Sequence, residues 1–251
     1  DNANLKPLGF TADDYRVQST INFDFIGNKL DDWIGRARFL DTKIQKDNKE
    51  FAVDSMYFNS GIFENQRRFS MVTEFFNFYV NGNFVPSTLI NDVNTLVKEY
   101  LLYFNENETV RKNYYLTKNL KSDKGNYDAA YKLYFKDTKR FFGFFYPDIY
   151  VSPGSVLNGL LTARATAEMS LEGQVDTLIY KKNEFYNNQI DFSTSKFTSS
   201  PKVLTSYILR SESQKMANGL KTQNLEANAY WGEANDIDFD ISIEQLCRNI
   251  W

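Results

Sequence analysis

Two stretches, VDSMYFNSGIFENQRRFS (Val53–Ser70) and VDTLIYKKNEFYNNQIDFS (Val175–Ser193), share a pattern on which the predicted fold depends. Aligned with one gap, they have Val, Asp, Asn, Gln, Phe and Ser at matched positions. Each follows a segment in which Arg and Ala alternate, Arg36-Ala37-Arg38 before the first and Ala163-Arg164-Ala165 before the second. The alternative is a chance match. A true duplication predicts two similar halves, related by a pseudo-twofold axis and joined near residues 121–126.

The composition is that of a folded protein with an unusual aromatic content. The 251 residues are 42% hydrophobic and 24% charged, which is enough apolar surface for a core. This length fits one large domain or two small ones. The chain has 22 Phe and 16 Tyr but only 12 Gly and 5 Pro. Because Gly and Pro mark most tight turns, their scarcity favours long elements.

The charge and hydropathy of the chain argue against two classes of partner. The net charge is −3 and the pI is about 5.2, so no basic field is present to hold nucleic acid or an anionic membrane surface. No apolar run approaches the roughly 18–20 residues that span a bilayer, and no transmembrane segment is predicted. The chain begins at Asp1, without Met, which leaves two hypotheses. Either a targeting segment has been removed, as for a protein that works inside an organelle, or the sequence is truncated.

Apolar spacing predicts a mainly α fold, either a helical bundle or two pseudo-repeated helical halves, with at most a minor β-hairpin. Leu30, Trp33, Ala37, Leu40 and Ile44 recur at spacings of three and four, which is typical of one helix face. The same reasoning predicts several other helices. They are the apolar run 69–80, a stripe from Ser87 to Phe104, a helix opening at Ser152-Pro153, one introduced by Pro201, and a last one capped by Ser242 and Gln245.

The remaining segments are predicted as arms, turns and loops. Residues 1–27 form an extended arm or one strand, residues 28–120 a first helical half and residues 121–251 a second, unless the whole is one domain. Val80–Phe84 contains an Asn-Gly pair that favours either a hairpin turn or, as we prefer here, a helix end at Gly82. Lys118–Asn126 is predicted to be a hinge or long loop, and Asp191–Ser200 a loop rich in Ser and Thr.

Two absences restrict the chemistry. The chain has no His and a single Cys, Cys247, so it has no intramolecular disulfide, no Ser-His-Asp triad and too few ligands for a zinc site. We interpret Cys247 as a buried small hydrophobe. Val151–Ser155 lacks the Lys and the spacing of a phosphate-binding loop. We therefore predict no catalytic residue, no metal site and no cofactor.

Carboxylates are the only remaining candidates for chemistry. In Asp236–Asp240 acids alternate with apolar residues, which fits either a cation site or an amphipathic strand with a solvated acidic face, and the strand is the interpretation we favour. A glycosidase needs a pair of carboxylates, but no local motif selects one. The available acids are more typical of caps or surface charges: Asp13, Asp14, Asp31, Asp32 and Asp148. Asn107-Glu108-Thr109 matches the glycosylation pattern, which occurs easily by chance.

Aromatic residues carry the functional prediction. Five aromatics surround Gly143 and are followed by Pro147, so this segment is predicted to be non-helical and to bind a partner protein: Phe141, Phe142, Phe144, Phe145 and Tyr146. A buried turn between helices is the alternative. The chain is thus predicted to be a non-enzymatic scaffold or linker subunit that binds other protein subunits in a larger assembly. The second hypothesis is an extracytoplasmic binding protein or carbohydrate-active enzyme that uses acids and aromatic platforms.

Overall fold

The fold is a large antiparallel β-sheet with three helices, seen in a computed structural model that describes residues 2–4, 15–103, 108–117, 126–164, 166–197, 203–232 and 236–245. The strands are β1 Asn2–Asn4, β2 Tyr15–Ile26, β3 Ile34–Lys46, β4 Lys49–Phe63, β5 Gln66–Val72, β6 Phe76–Asn83, β7 Tyr127–Phe135, β8 Ile149–Val151, β9 Val156–Ala163, β10 Thr166–Tyr180, β11 Asn183–Phe197, β12 Val203–Lys215, β13 Lys221–Trp231 and β14 Ile237–Gln245. The helices are α1 Pro86–Tyr103, α2 Glu108–Thr117 and α3 Lys139–Phe145, with a 3-10 turn at Leu30–Asp32.

Strand order follows chain order almost throughout. Each strand from β1 to β6 pairs with the next one, β7 pairs with β9, and the order then continues to β14. The short strand β8 is the exception, because it pairs with the far end of β10. No described helix is both long and apolar enough to cross a membrane.

The two faces of the sheet differ in polarity along neighbouring rows of paired residues. Residues that pair directly in an antiparallel sheet lie on the same face. One row, on the face that α1 and α3 cover, is entirely non-polar: Phe23, Ala37, Phe58, Met71, Phe78, Leu133, Leu157, Gly173, Ile190, Leu209, Ala227 and Ile241. The next row, on the opposite face, is polar except for Ile208: Asp24, Arg36, Asn59, Ser70, Tyr79, Lys132, Asn158, Glu172, Asp191, Ile208, Asn228 and Asp240. We call these the inner and outer faces.

Helices cover part of the inner face. Leu89 of α1 packs against a cluster around Val80 and Ala129. The aromatic residues of α3 pack against two further clusters, one around Phe51 and one around Phe135. The core therefore lies between the sheet and these helices, and the outer face is left to solvent.

The prediction of a mainly α fold is wrong, because the described residues form mostly strands. Residues 30–44 show why. Ala37 and Phe39 belong to the inner-face pattern of β3, but Asp41 adopts a left-handed conformation with φ 50°. Before Asp41 the inward residues of β3 have odd numbers, and after it they have even numbers. Thr42 is buried and Ile44 packs against the core. A bulge that shifts a period of two by one residue produces the spacing of three and four that we took for a helix.

Other predicted helices fail for local reasons. The run 69–80 is divided by a turn, in which the hydroxyl of Thr73 accepts hydrogen bonds from the N–H groups of Phe75 and Phe76 at 3.1 and 3.0 Å. Gly82 ends no helix and makes no turn; it lies in β6, where a side chain would collide with the carbonyl oxygen of Asp128. Ser152–Ser155 makes a turn into β9 instead of opening a helix. The helix predicted after Pro201 is strand β12, and Ser242 and Gln245, predicted to cap a last helix, lie in β14. The loop predicted at 191–200 is strand β11 as far as residue 197.

Within the part of the chain that the structure describes, one of the predicted long helices is present. The stripe that begins at Ser87 is α1, Pro86–Tyr103. Residues 118–125 of the hinge predicted at Lys118–Asn126 lie outside the described residues, as do the helix predicted after residue 245 and Cys247.

The two related stretches both form β-hairpins, but their turns fall at different places. The first turn is Glu64-Asn65 and the second is Lys181-Lys182, and all four residues have positive φ. In the sequence alignment the second turn matches Asn59-Ser60, which lies inside β4. The two similar sequences therefore do not have matching structures. The helical character of the predicted halves is wrong; the division into halves stays a prediction, and the sheet runs across it through the pairing of β6 with β7.

Candidate functional site

The predicted partner-binding aromatics lie on α3, not in an irregular segment. Phe141, Phe142, Phe144 and Phe145 are helical, and the helix ends at Tyr146, just before Pro147. The ring of Phe141 lies 4.9 to 6.2 Å from those of Phe51, Phe75, Phe76, Phe142 and Phe145. The non-helical interpretation is thus wrong. Most of the cluster stabilises the contact between α3 and the sheet, while Tyr146 is 59% exposed.

The predicted carboxylates do not meet in one site. Asp31 caps α1, because its two carboxylate oxygens accept the N–H and the hydroxyl of Ser87, each at 2.8 Å. Asp32 lies 3.9 Å from the ammonium of Lys29 at the surface. Asp148 lies in the turn just before β8, and Asp13 and Asp14 lie outside the described residues. In the described part of the chain, no group of three His, Cys, Asp or Glu side chains is placed to hold a metal ion.

A groove of about 800 Å³ crosses the outer face over strands β2 to β6. Its polar lining comes from the outward positions of five neighbouring strands: Asp24, Arg36, Asn59, Arg68, Ser70, Tyr79 and Asn81. We call these residues the outer groove. The groove is deep at Gly61 because this residue has no side chain, and a Cβ added there would meet open space. Gly61 pairs with Arg68, so the missing side chain leaves room beside the guanidinium.

Two arginines are displayed in the outer groove. The Nε of Arg36 lies 3.7 Å from a carboxylate oxygen of Asp24, and both side chains are largely exposed. Arg68 extends over the ring of Phe63, with 4.4 Å between its guanidinium carbon and the ring centroid. A guanidinium that lies over a ring can still bind a planar carboxylate through the N–H groups at its edge. The groove therefore offers two guanidinium groups, one over the ring of Phe63 and one close to Asp24.

The neighbouring residue Arg67 has the opposite role. It points to the inner face, where its guanidinium donates to the carbonyl oxygens of Trp33 at 3.2 Å and Asp31 at 2.5 Å. These bonds hold the segment before β3 against β5. Because side chains alternate along β5, Arg67 stabilises the inner face and Arg68 lines the outer groove.

The rest of the outer groove supplies neutral donors and acceptors. The amide of Asn59 donates to the hydroxyl of Ser70 at 3.2 Å, and that of Asn81 donates to Gln66 at 3.0 Å. The Oδ1 atom of Asn81 is buried and accepts no hydrogen bond from any described residue. The ring of Tyr79 is 41% exposed between them. This arrangement can bind a polar ligand but brings together no nucleophile and base.

Sequence reasoning missed these residues, although a signal was present. Arg36 and Arg38 flank Ala37 in the alternation that we noted beside the first stretch. Phe76–Asn81 shows the same period, with Asn77, Tyr79 and Asn81 outward and Phe76, Phe78 and Val80 inward. Treated as strands, these segments would have placed the polar side chains on one face.

Comparison with known proteins assigns no family to the chain. No family model, no curated protein and no solved structure matches it. The geometry of the outer groove is thus the basis on which a function is proposed.

Proposed function

We propose that the protein is a non-enzymatic binding subunit of a larger protein assembly and that the outer groove holds a segment of a partner protein. The observation that supports this proposal is the composition of the groove. Arg, Tyr, Asn, Ser and Gly residues adjoin on neighbouring strands of the sheet, which is the composition of protein surfaces selected for binding other proteins.

The chemistry of the groove defines what the partner segment presents. Arg36 and Arg68 suit carboxylates, since each guanidinium can donate two parallel hydrogen bonds. The exposed side-chain amide of Asn59 suits the N–H and C=O groups of a peptide backbone. We therefore expect an extended or looped segment with at least one Asp or Glu, lying beside the ring of Tyr79.

A second candidate function is carbohydrate binding in the same groove. The exposed ring of Tyr79, which lines the groove together with Asp24 and two Asn side chains, favours it, because sugars bind through amide and carboxylate hydrogen bonds and a ring face. Hydrolysis by the two-carboxylate mechanism is not part of this candidate: among the described residues that line the groove, Asp24 is the only carboxylate.

Site-specific photo-crosslinking in the source cells tests the proposal. A photoreactive amino acid replaces Ser70 in the groove or, as a control, Glu172, which lies on the outer face of β10. We expect one protein adduct from position 70 and none from position 172. The adduct should disappear in R36A/R68A and persist in R164A/K221A, which removes the same charge from exposed sites elsewhere.

Three outcomes contradict the proposal. One is no adduct from position 70, another is the same adduct from both positions, and the third is an adduct that R36A/R68A leaves unchanged. Binding of the isolated chain to a glycan array, lost in R36A/R68A but not in R164A/K221A, would establish the carbohydrate candidate instead.

A further inference from the structure

The edge strand β14 is exposed along its whole length. All nine residues of Ile237–Gln245 are exposed, and within the described residues β14 pairs only with β13. An edge strand presents a row of unpaired N–H and C=O groups, which is a template for another strand. The rows of both faces of the sheet end here, at Ile241 on the inner face and Asp240 on the outer face.

The inner side of this edge is apolar. Phe239 and Ile241 are 71% and 66% exposed, and Ile237 and Ile243 extend the same stripe. Ile237, Phe239 and Ile241 pair with Trp231, Ala229 and Ala227 on β13, in that order. The apolar face of the sheet therefore reaches the edge, where a neighbouring strand flanks it on one side only. A further strand with apolar residues at alternate positions would cover the other side.

The outer side of the edge is acidic. It carries Asp238, Asp240 and Glu244, and residues 236–245 include no Lys or Arg. Glu244 accepts hydrogen bonds from the neutral amides of Gln223 and Asn224 at 3.1 and 2.9 Å, which leaves its charge uncompensated. On β13 the outer-face neighbours of Asp238 and Asp240 are Tyr230 and Asn228, which are uncharged. The negative charge of the edge is therefore available to a partner.

This charge selects against a second copy of the same strand. When two β14 strands pair about a twofold axis through Ile241, Asp238 of one lies opposite Glu244 of the other. Like charges directly opposite each other destabilise a strand pair. The acids do not simply block the edge, because the apolar stripe beside them remains exposed.

We propose that β14 is a docking edge for a strand of another protein in which Lys or Arg alternates with apolar residues. The partner strand runs antiparallel to β14. Its basic side chains lie opposite Asp238, Asp240 and Glu244, and its apolar side chains lie beside Phe239 and Ile241. Backbone hydrogen bonds supply the affinity, and the two side-chain rows supply the selectivity. This surface is separate from the outer groove on β2 to β6, so it does not depend on the function proposed above.

Synthetic peptides test the docking edge directly on the whole chain. The probe is a ten-residue peptide in which Lys and Val alternate; the controls are its Glu-Val counterpart and a peptide with the same Lys and Val residues in two blocks. Binding is measured by fluorescence anisotropy, and amide hydrogen exchange locates the contact. We expect saturable binding of the Lys-Val peptide only, with slowed exchange in residues 237–245.

Charge-reversal variants make the test specific. D238K/D240K should weaken binding of the Lys-Val peptide by about tenfold or more and should bind the Glu-Val peptide instead. The matched control is E168K/E172K, which makes the same change of charge at exposed positions of the interior strand β10. We expect this control to bind like the unmodified chain.

Each of four results would overturn the proposal. The block peptide binds as well as the alternating one, exchange in residues 237–245 is unchanged by the peptide, or E168K/E172K weakens binding as much as D238K/D240K. In the fourth, exchange in this strand slows with protein concentration alone, which would identify a second copy as the occupant.

Discussion

Tyr131 lies directly across Gly159, and its hydroxyl donates to the carbonyl oxygen of Ser170 at 2.8 Å on the strand beyond. A side chain at position 159 would collide with the ring of Tyr131 and with this carbonyl oxygen. Three adjacent strands, β7, β9 and β10, are thus joined by one side chain that fills the space a glycine leaves.

Gly159→Ala should destabilise the protein by about 1–3 kcal/mol, because the tyrosine ring must leave its position or the strands must separate. Urea unfolding measures the change. Gly61→Ala is the control: it also lies in a strand, but the new methyl group meets open space, so its stability should be unchanged or higher by up to about 1 kcal/mol. Equal losses in the two variants would contradict this account of Gly159.

Tyr131 also predicts a loss of stability in alkali. Burial raises the pKa of Tyr131 to about 12, above its ordinary value of 10.0. Between these two values the unfolded chain has lost the phenol proton and the folded protein has kept it, so stability falls as pH rises. We expect the unmodified protein to lose on the order of 2 kcal/mol more than Tyr131→Phe across this range. Parallel stability curves for the two proteins, measured from pH 9 to 12, would rule this out.

Asp31 should stabilise α1 only while it is ionised. The N–H of Ser87, followed by its hydroxyl and nearby cations, lowers the pKa of Asp31 below 3.8. This stability is complete above pH 3.8 and is lost as the pH falls through the lower folded-state value. At neutral pH Asp31→Ala should cost about 0.5–2 kcal/mol and speed hydrogen exchange in α1.

The neighbouring Asp32→Ala is the control for Asp31. Asp32 makes a surface ion pair with Lys29, and its loss should cost less than about 0.5 kcal/mol. A difference between unmodified protein and Asp31→Ala that persists unchanged at pH 2 would contradict a cap made by the carboxylate.

The hairpin turn Lys181-Lys182 can be improved. Both residues have positive φ, at 47° and 68°, a conformation that costs most side chains free energy and suits Asn-Gly. K181N/K182G should therefore raise the free energy of unfolding by about 1 kcal/mol. Lys221→Gly, at the start of β13, should lower the free energy of unfolding by about 0.5–1 kcal/mol, because glycine loses more conformational freedom than other residues when it is fixed in a strand. A destabilised turn variant would refute this reading of the turn.

Within the α3 cluster, stability and partner binding should separate by residue. Phe141→Ala removes a ring in contact with five others and should cost about 3 kcal/mol. Tyr146→Ala, at an exposed ring, should change stability by less than about 0.5 kcal/mol. Because Tyr146 belongs to the predicted partner surface, Tyr146→Ala should weaken recovery of the partner in pull-downs while thermal unfolding stays the same. Unchanged recovery would remove Tyr146 from that surface.

The sequence could predict single elements of this fold but not its class. The stripe of α1 was readable because eighteen residues keep one period without interruption. In β3 the left-handed Asp41 breaks the period of two, and in the hairpins Glu64-Asn65 and Lys181-Lys182 make turns without Gly or Pro. Turn and period signals, on which strand prediction depends, were therefore absent or shifted at the decisive positions.

The candidate site was less predictable for a different reason. The outer groove joins side chains from five strands, and its two arginines, Arg36 and Arg68, lie far apart in the sequence. Which side chains meet in the groove depends on strand register, and the sequence pattern does not specify the register until the strands are known. By contrast, the amphipathic strand favoured for Asp236–Asp240 needed only local alternation, and the structure confirms it.

The near-identity of strand order and chain order bears on how the protein folds. When each strand pairs with its predecessor, most contacts close short loops, so the entropy lost at each step is small and the contact order is low for an all-β chain. The sheet can grow one hairpin at a time as the chain leaves the ribosome. The helices inserted between β6 and β7 interrupt that growth, and the pairing of these two strands is the longest closure along the main path of the sheet. We expect it to be the slow step.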